Sequence, residues 1–121
     1  MMKAVLIDPF NRTISMVQMG NDWRLSIKTP LHTEISARIG CKYFTVAGYY
    51  DNDVVYCDDE GLRHGPTEFV MISGFGNPIA GRVLMLGSTA DGDSTDVNTD
   101  AVQMMDKVQF LSHNEVMEMY A

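Results

Sequence analysis

Apolar positions along the chain change period several times, and each change predicts an element. Residues 3–8, KAVLID, form a short apolar run suited to a buried strand. Asp8-Pro9-Phe10-Asn11-Arg12 carries Asp and Pro where turns use them. Thr13 to Met19 then alternates polar and apolar, the signature of a half-buried strand, so the chain opens with a hairpin. Trp23, Leu25 and Ile27 alternate and suggest a short strand. Thr29-Pro30 has the form of a helix start, with Thr as N-cap and Pro in the first turn. Leu31, Ile35 and Ile39 lie on one helical stripe, Glu34 and Arg38 form an i, i+4 pair on the other side, and Gly40 stands where a helix C-terminus favours a left-handed residue.

From residue 42 the pattern turns to β. KYFTVAGYY, residues 42–50, is β-branched and aromatic, Asp51-Asn52-Asp53 is a turn, and Val54 to Cys57 is the return strand. With Asp51-Asn52 central, an unbroken register sets Val46 opposite Cys57 and Phe44 opposite Asp59. Cys41 and Cys57 then fall on different faces. Residues 67–72 and 82–86 are two further strands, joined by the glycine-rich stretch Ser73 to Pro78. Gly87 to Asn98 is a polar loop. Thr99 is placed to cap a helix over 100–111, with Val102, Met105, Val108 and Phe110 on its apolar side. Ser112-His113-Asn114 interrupts that helix before a final helical turn. The pattern predicts an α+β fold: one domain over 1–121, a mainly antiparallel sheet of five to six strands, and two helices packed against it. Loop 88–98 and the tail 112–121 are its expected mobile parts. Thr13–Met19 and Val54–Cys57 are the expected sheet edges, through which a homodimer would form.

Composition narrows the function. The net charge of −7 argues against direct nucleic-acid binding, which needs a basic patch; a soluble acidic surface is the simplest reading of it, and a basic protein partner or mild mimicry of nucleic acid is compatible with it. Two cysteines make no disulfide framework, and neither a signal peptide nor a membrane-length apolar run is apparent, so a cytoplasmic protein is expected. Ten methionines suit an adaptable core or an adaptable binding surface.

Candidate chemistry concentrates in VYCDDEGLRH, residues 55–64. A thiol, three carboxylates and an imidazole lie close together in sequence there. One Cys and one His seven apart, without a paired C-x-x-C or H-x-x-x-H, fall short of a zinc site, so a solvated turn ending a strand is the simpler reading. Asp91 to Asp100 resembles a calcium loop, but Asp96 and Val102 occupy the places that need Gly and Glu. Gly74, Gly76 and Gly81 do not make a dinucleotide fingerprint. His32, His64 and His113 have no evident nucleophile beside them. No catalytic residue, metal or cofactor is therefore assigned.

The ordered set Ile7-Asp8-Pro9, a helix ending at Gly40, Asp59-Glu60-Gly61-Leu62, and Asn77-Pro78-Ile79-Ala80-Gly81 through Gly87 resembles a small family from bacteriophages and mobile plasmids that is known only as a domain of unknown function. The resemblance covers about residues 2 to 110. After Leu62 this chain departs from the family, where a longer asparagine-containing stretch usually precedes the next strand. The family has no established catalytic residues. What the resemblance implies is a phage or plasmid origin and, by analogy with other small phage proteins, a role in binding a host protein, such as inhibition of host defence. Tyr49, Tyr50, Asp59, Glu60, Arg63, His64, Asn77 and Arg82 are the candidate binding residues. Two other readings stay open. In one, a nucleotide-type ligand stacks on Tyr49 or Tyr50, with phosphate on the amides of Gly74–Gly81 and on Arg63 and Arg82. In the other, a metal-dependent enzyme uses Asp58, Asp59, Glu60 and His64.

Overall fold

A computed structural model describes residues 2–20 and 31–120. The expected strand at Trp23 to Ile27 and the helix start at Thr29-Pro30 lie outside the described residues.

The opening hairpin is present: β1 (Met2–Asp8) pairs antiparallel with β2 (Thr13–Met19), Asp8 opposite Thr13. Asp8 sets the turn, its Oδ1 accepting from the Phe10 and Asn11 amides and its Oδ2 from Asn11 Nδ2. Helix α1 (Leu31–Ile39) follows, with Ile35 and Ile39 buried and Leu31 half-buried on the predicted stripe. It ends at Gly40, where φ is +81° and the amide reaches back to Ser36 O at 2.8 Å. Glu34 and Arg38 both cross to β2: Glu34 accepts from Gly20 N, and Arg38 donates to Gln18 O.

The second hairpin, β3 (Phe44–Tyr50) and β4 (Asp53–Asp58), turns at Asp51-Asn52 as expected, with Tyr50 opposite Asp53. Its register does not run through. A bulge at Ala47 places Thr45, not Val46, opposite Cys57, and Phe44 opposite Asp58. One extra residue on the bulged strand shifts every pair beyond it by one. Cys41 and Cys57 do fall on opposite faces, since they pack in different core clusters.

After β4 come a 3₁₀ turn (Gly61–His64), β5 (Glu68–Ile72), the short β6 (Ile79–Ala80), β7 (Val83–Ser88) and the short β8 (Ser94–Thr95). The apolar β7 inserts between β1 and β4, giving a sheet ordered β2-β1-β7-β4-β3, with β8 on the end of β7. Val54–Cys57 is therefore an interior strand and not an edge. Among the described residues β2 and the bulged β3 are the outer strands. Gly87 lies so close to the returning chain that a Cβ there would overlap the Asp96 carbonyl oxygen.

The helix expected over 100–111 is only α2 (Ala101–Met104). Asp100, not Thr99, caps it, in a reciprocal box with Gln103. Residues Val108–Ser112 are strand β9, which pairs with β5 in a second sheet ordered β6-β5-β9. Val108 and Phe110 pack towards the first sheet and Leu111 away from it, so pairing with β5 overrides the helical spacing. Ser112 then begins an element instead of interrupting one: with Glu115 it caps α3 (His113–Met119).

The result is α+β in layers. Helix α1 covers one face of the six-stranded sheet through Ala4, Leu84 and Leu86. The second sheet covers the other face through Val70, Ile72 and Ile79, packed on Val5, Ile7, Val55 and Met85. Helix α3 closes the outside of the second sheet, with Val116 on Phe69 and Leu111. No helix among the described residues is long and apolar enough to cross a membrane.

Candidate functional site

Strand β4 is covered on both faces, Val55 and Cys57 in one core cluster and Tyr56 in the other, until Asp58, where the sheet ends and the chain must turn. The Asp59 amide still donates to Tyr43 O at 3.0 Å, a last rung of the hairpin. Asp58 Oδ1 then accepts from Glu60 N at 2.9 Å, and Arg63 N donates to Glu60 O at 2.9 Å, winding the chain into the 3₁₀ turn. Gly65, with φ of +59°, ends it in the left-handed region. Gly61 has a steric role: a Cβ there would sit 3.2 Å from both the Ala80 Cβ and the Ala80 carbonyl, so the turn packs tightly on β6.

Two consequences follow for the side chains. The His64 imidazole lies between two carboxylates, with Nε2 3.4 Å from Glu60 Oε2 and Nδ1 3.8 Å from Asp58 Oδ2. Leu62 projects outward and is 76% exposed, the most exposed large apolar side chain among the described residues.

Three hollows meet at this turn. One, of about 370 Å³, runs between Leu62 and the Pro78-Ile79 edge and reaches Asp58, Asp59 and Glu60. A second, of about 310 Å³, lies between Phe10, His64 and Gly81. A third, of about 380 Å³, is apolar and lies between Leu62, Pro66 and Met117 of α3. Asp58, Gly61 and Ala80 line both the first and second hollows, and Leu62 separates the first from the third.

The candidate binding residues divide between this turn and other places. Asp59, Glu60, Arg63 and His64 stand together on the turn or its rim. Arg82 is engaged nearby: its Nε is 3.3 Å from Asp8 Oδ2 and its guanidinium lies 4.9 Å over the Phe10 ring. Asn77 Oδ1 accepts from the Tyr120 hydroxyl at 2.9 Å, which ties the end of the chain to the loop before β6. Tyr49 and Tyr50 are on β3. Tyr49 is 70% exposed, whereas Tyr50 is half-buried against the core.

Of the Gly74–Gly81 amides considered for phosphate, that of Phe75 donates to Ile72 O and that of Gly81 to Glu68 O. Tyr56 meets Phe44 edge to face at 5.4 Å, as sheet packing.

The turn offers no poised nucleophile. Burial first, then the charges of Asp58, Cys41 and Asp59, push the Cys57 thiol up to about 11, so it is a neutral thiol at physiological pH. Cys41 is raised as well, by burial and then by Asp58. Among the described residues no group of three or more His, Cys, Asp or Glu side chains is placed to hold a metal ion.

Two features escape sequence reasoning. Leu62 reads as one residue of a polar turn, and only the 3₁₀ winding shows that it points outward. Asp53 reads as a turn residue, yet it is fully buried. Its Oδ1 accepts from Asn98 N and Nδ2, and its Oδ2 from Thr99 N and Oγ1, at 2.7–2.9 Å.

Against this geometry, a family model described as "Domain of unknown function (DUF3846)" matches residues 2–109. The "Uncharacterized protein y4iR" of Sinorhizobium fredii (strain NBRC 101917 / NGR234) is 25% identical over 83 residues, which is 69% of this chain and 47% of that protein. The chain thus spans about half the length of this curated relative. No solved structure matches the chain.

Proposed function

The chain belongs to the DUF3846 family of domains of unknown function, and we propose that it is a non-enzymatic accessory protein of a phage or mobile element that binds a host protein through the surface around residues 58–66. One observation carries the reading. Three hollows converge on a turn whose central side chain, Leu62, is apolar and 76% exposed. An apolar ridge flanked by concave surface is the arrangement in which a few anchor residues dominate an interface. The tight packing of Gly61 on Ala80 fixes the ridge, so little ordering entropy would be lost on binding. The buried Cys57 thiol, raised to about 11, offers no ready nucleophile beside the turn, which supports binding over chemistry at this place.

The test is affinity capture from a bacterial lysate with the intact chain and with Leu62→Asp, after thermal melts show both folded. The reading expects proteins that the intact chain retains at physiological salt and the variant does not. Identical protein sets on both baits would overturn it.

A further inference from the structure

We propose that the hollow between Leu62 and the Pro78-Ile79 edge takes the cationic side chain of an arginine or lysine, presented on a partner protein beside an apolar residue. The inference rests on the binding role proposed above and names the chemistry of what is bound.

The walls of this hollow are apolar where they are deep and acidic where they open. Cys57, Ile79 and Ala80 are buried core side chains, while Asp58, Asp59 and Glu60 follow one another along the rim. An Arg or Lys matches that sequence of surfaces, because its aliphatic stem lies on apolar groups while its head keeps a polar contact. Asp58 supplies a half-buried negative charge shared by two hollows. Its side chain is only 16% exposed, and its Oδ1 is taken by the Glu60 amide. Its Oδ2 lies 3.8 Å from His64 Nδ1, beyond hydrogen-bond length, so the carboxylate keeps charge to attract a cation beside the turn. Glu60 Oε2 stands on the other side of the same imidazole at 3.4 Å.

The sign of the charge selects the ligand. Three carboxylates line the hollow against one guanidinium, that of Arg63, in a chain whose net charge is −7. An anionic group such as a phosphate or a nucleic-acid backbone would meet repulsion there, whereas a cation is drawn in. Arginine fits especially well, since its planar fork can bond a carboxylate oxygen while its stem stays on Leu62 and Pro78. The apolar neighbour belongs in the adjoining hollow, whose walls are mostly apolar, with Leu62, Pro66 and Met117 beside Thr67 and His113.

The experiment uses the full chain, ¹⁵N-labelled, titrated with a capped pentapeptide Ala-Leu-Arg-Leu-Ala and with the same peptide carrying citrulline in place of arginine. Citrulline keeps the shape and removes the charge. At about 50 mM salt, where screening is weak, the arginine peptide is expected to shift the amides of Gly61, Leu62, Ile79 and Ala80 saturably. It should bind about fivefold more tightly than the citrulline peptide, in line with a partly exposed ion pair. Asp59→Asn and Asp58→Asn should each reduce that ratio. Asn at 58 keeps an oxygen for the Glu60 amide, and the Asp59 variant serves as a second reading if the first alters the turn. Equal affinity of both peptides at these amides would overturn the cation preference and leave the binding face standing. Shifts confined to other parts of the chain, or none, would overturn the site itself, independently of the lysate capture with Leu62→Asp.

Discussion

Replacing Asp53 with alanine should destabilise the fold far more than replacing an exposed aspartate such as Asp91. The Asp53 carboxylate is fully buried and receives four hydrogen bonds, two from Asn98 and two from Thr99. They tie the start of β4 to the segment that leads into α2. In Asp53→Ala the Asn98 donors, on a residue with access to solvent, turn to water, but the amide and hydroxyl of buried Thr99 are left without an acceptor. Two buried orphan donors cost about 1–3 kcal/mol each, and the lost charge-assisted bonds to Asn98 add to that, while relief of the buried charge subtracts. The balance is a loss of about 3–5 kcal/mol. For a chain of this size that lowers Tm by roughly 10–25 °C. Asp53→Asn should lose less, about 2 kcal/mol, because Oδ1 is kept while the new NH₂ opposes the Thr99 amide. The double variant Asp53→Ala/Thr99→Ala should cost less than the sum of the two single changes, since the orphan hydroxyl is gone. Urea unfolding followed by circular dichroism measures all these proteins, with Asp91→Ala as a control expected within about 0.5 kcal/mol of the parent. An Asp53→Ala protein within about 1 kcal/mol of the parent would refute the clamp.

Other expectations are shorter to state. For Asp8, burial raises the carboxyl, but the Asn11 side-chain and amide donors and Arg82 together outweigh it and hold the group below 3.8. A carboxyl depressed by folding stabilises above its unfolded pKa and loses that contribution as pH falls through the folded value. The stability gap between the parent and Asp8→Ala should therefore be constant from about pH 7 to about pH 5 and shrink below about pH 4; a pH-independent gap in urea melts would contradict this. Cys57, raised from 9.0 to about 11, should resist iodoacetamide in the native chain at about pH 8 and react once unfolded. A thiol raised by folding lends stability below its unfolded pKa that fades between 9.0 and about 11. Native labelling at the rate of free cysteine, read by mass spectrometry, would contradict the burial. Gly87→Ala forces β7 away from the Asp96 carbonyl and should cost about 1–3 kcal/mol by thermal melt; an unchanged Tm would contradict the close approach.

Local patterns make much of this architecture legible. The alternation in Thr13–Met19, the stripe Leu31-Ile35-Ile39, the Gly40 stop and the turn at Asp51-Asn52 each need only neighbouring residues, and each appears where expected. What depends on distant partners is not readable in this way. Val108–Ser112 carries apolar residues at spacings that suit a helix as well as a strand, and β5 decides the matter. The bulge at Ala47 leaves no mark in KYFTVAGYY, because an extra residue changes the register without changing the composition. The same holds at the site. The acidic residues and His64 are visible as a sequence cluster, and the turn does bring them together. Tyr49, Tyr50 and Arg82 look equally available by residue type, but strand pairing holds the two tyrosines on β3 and the Asp8 and Phe10 contacts engage Arg82 beside the turn. Leu62 and Pro66 gain meaning only when α3 and β6, far along the chain, form hollows beside them.

Site-specific photo-crosslinking tests the binding face most directly. A benzoylphenylalanine placed at position 62, and separately at Val102 on α2, a similarly exposed apolar position, would be irradiated in bacterial cells expressing the chain. The account predicts a discrete heavier product from position 62, competed by excess parent chain in lysate, weakened by Asp58→Asn/Asp59→Asn, and missing from position 102. The same products from both positions, or none from position 62, would contradict it.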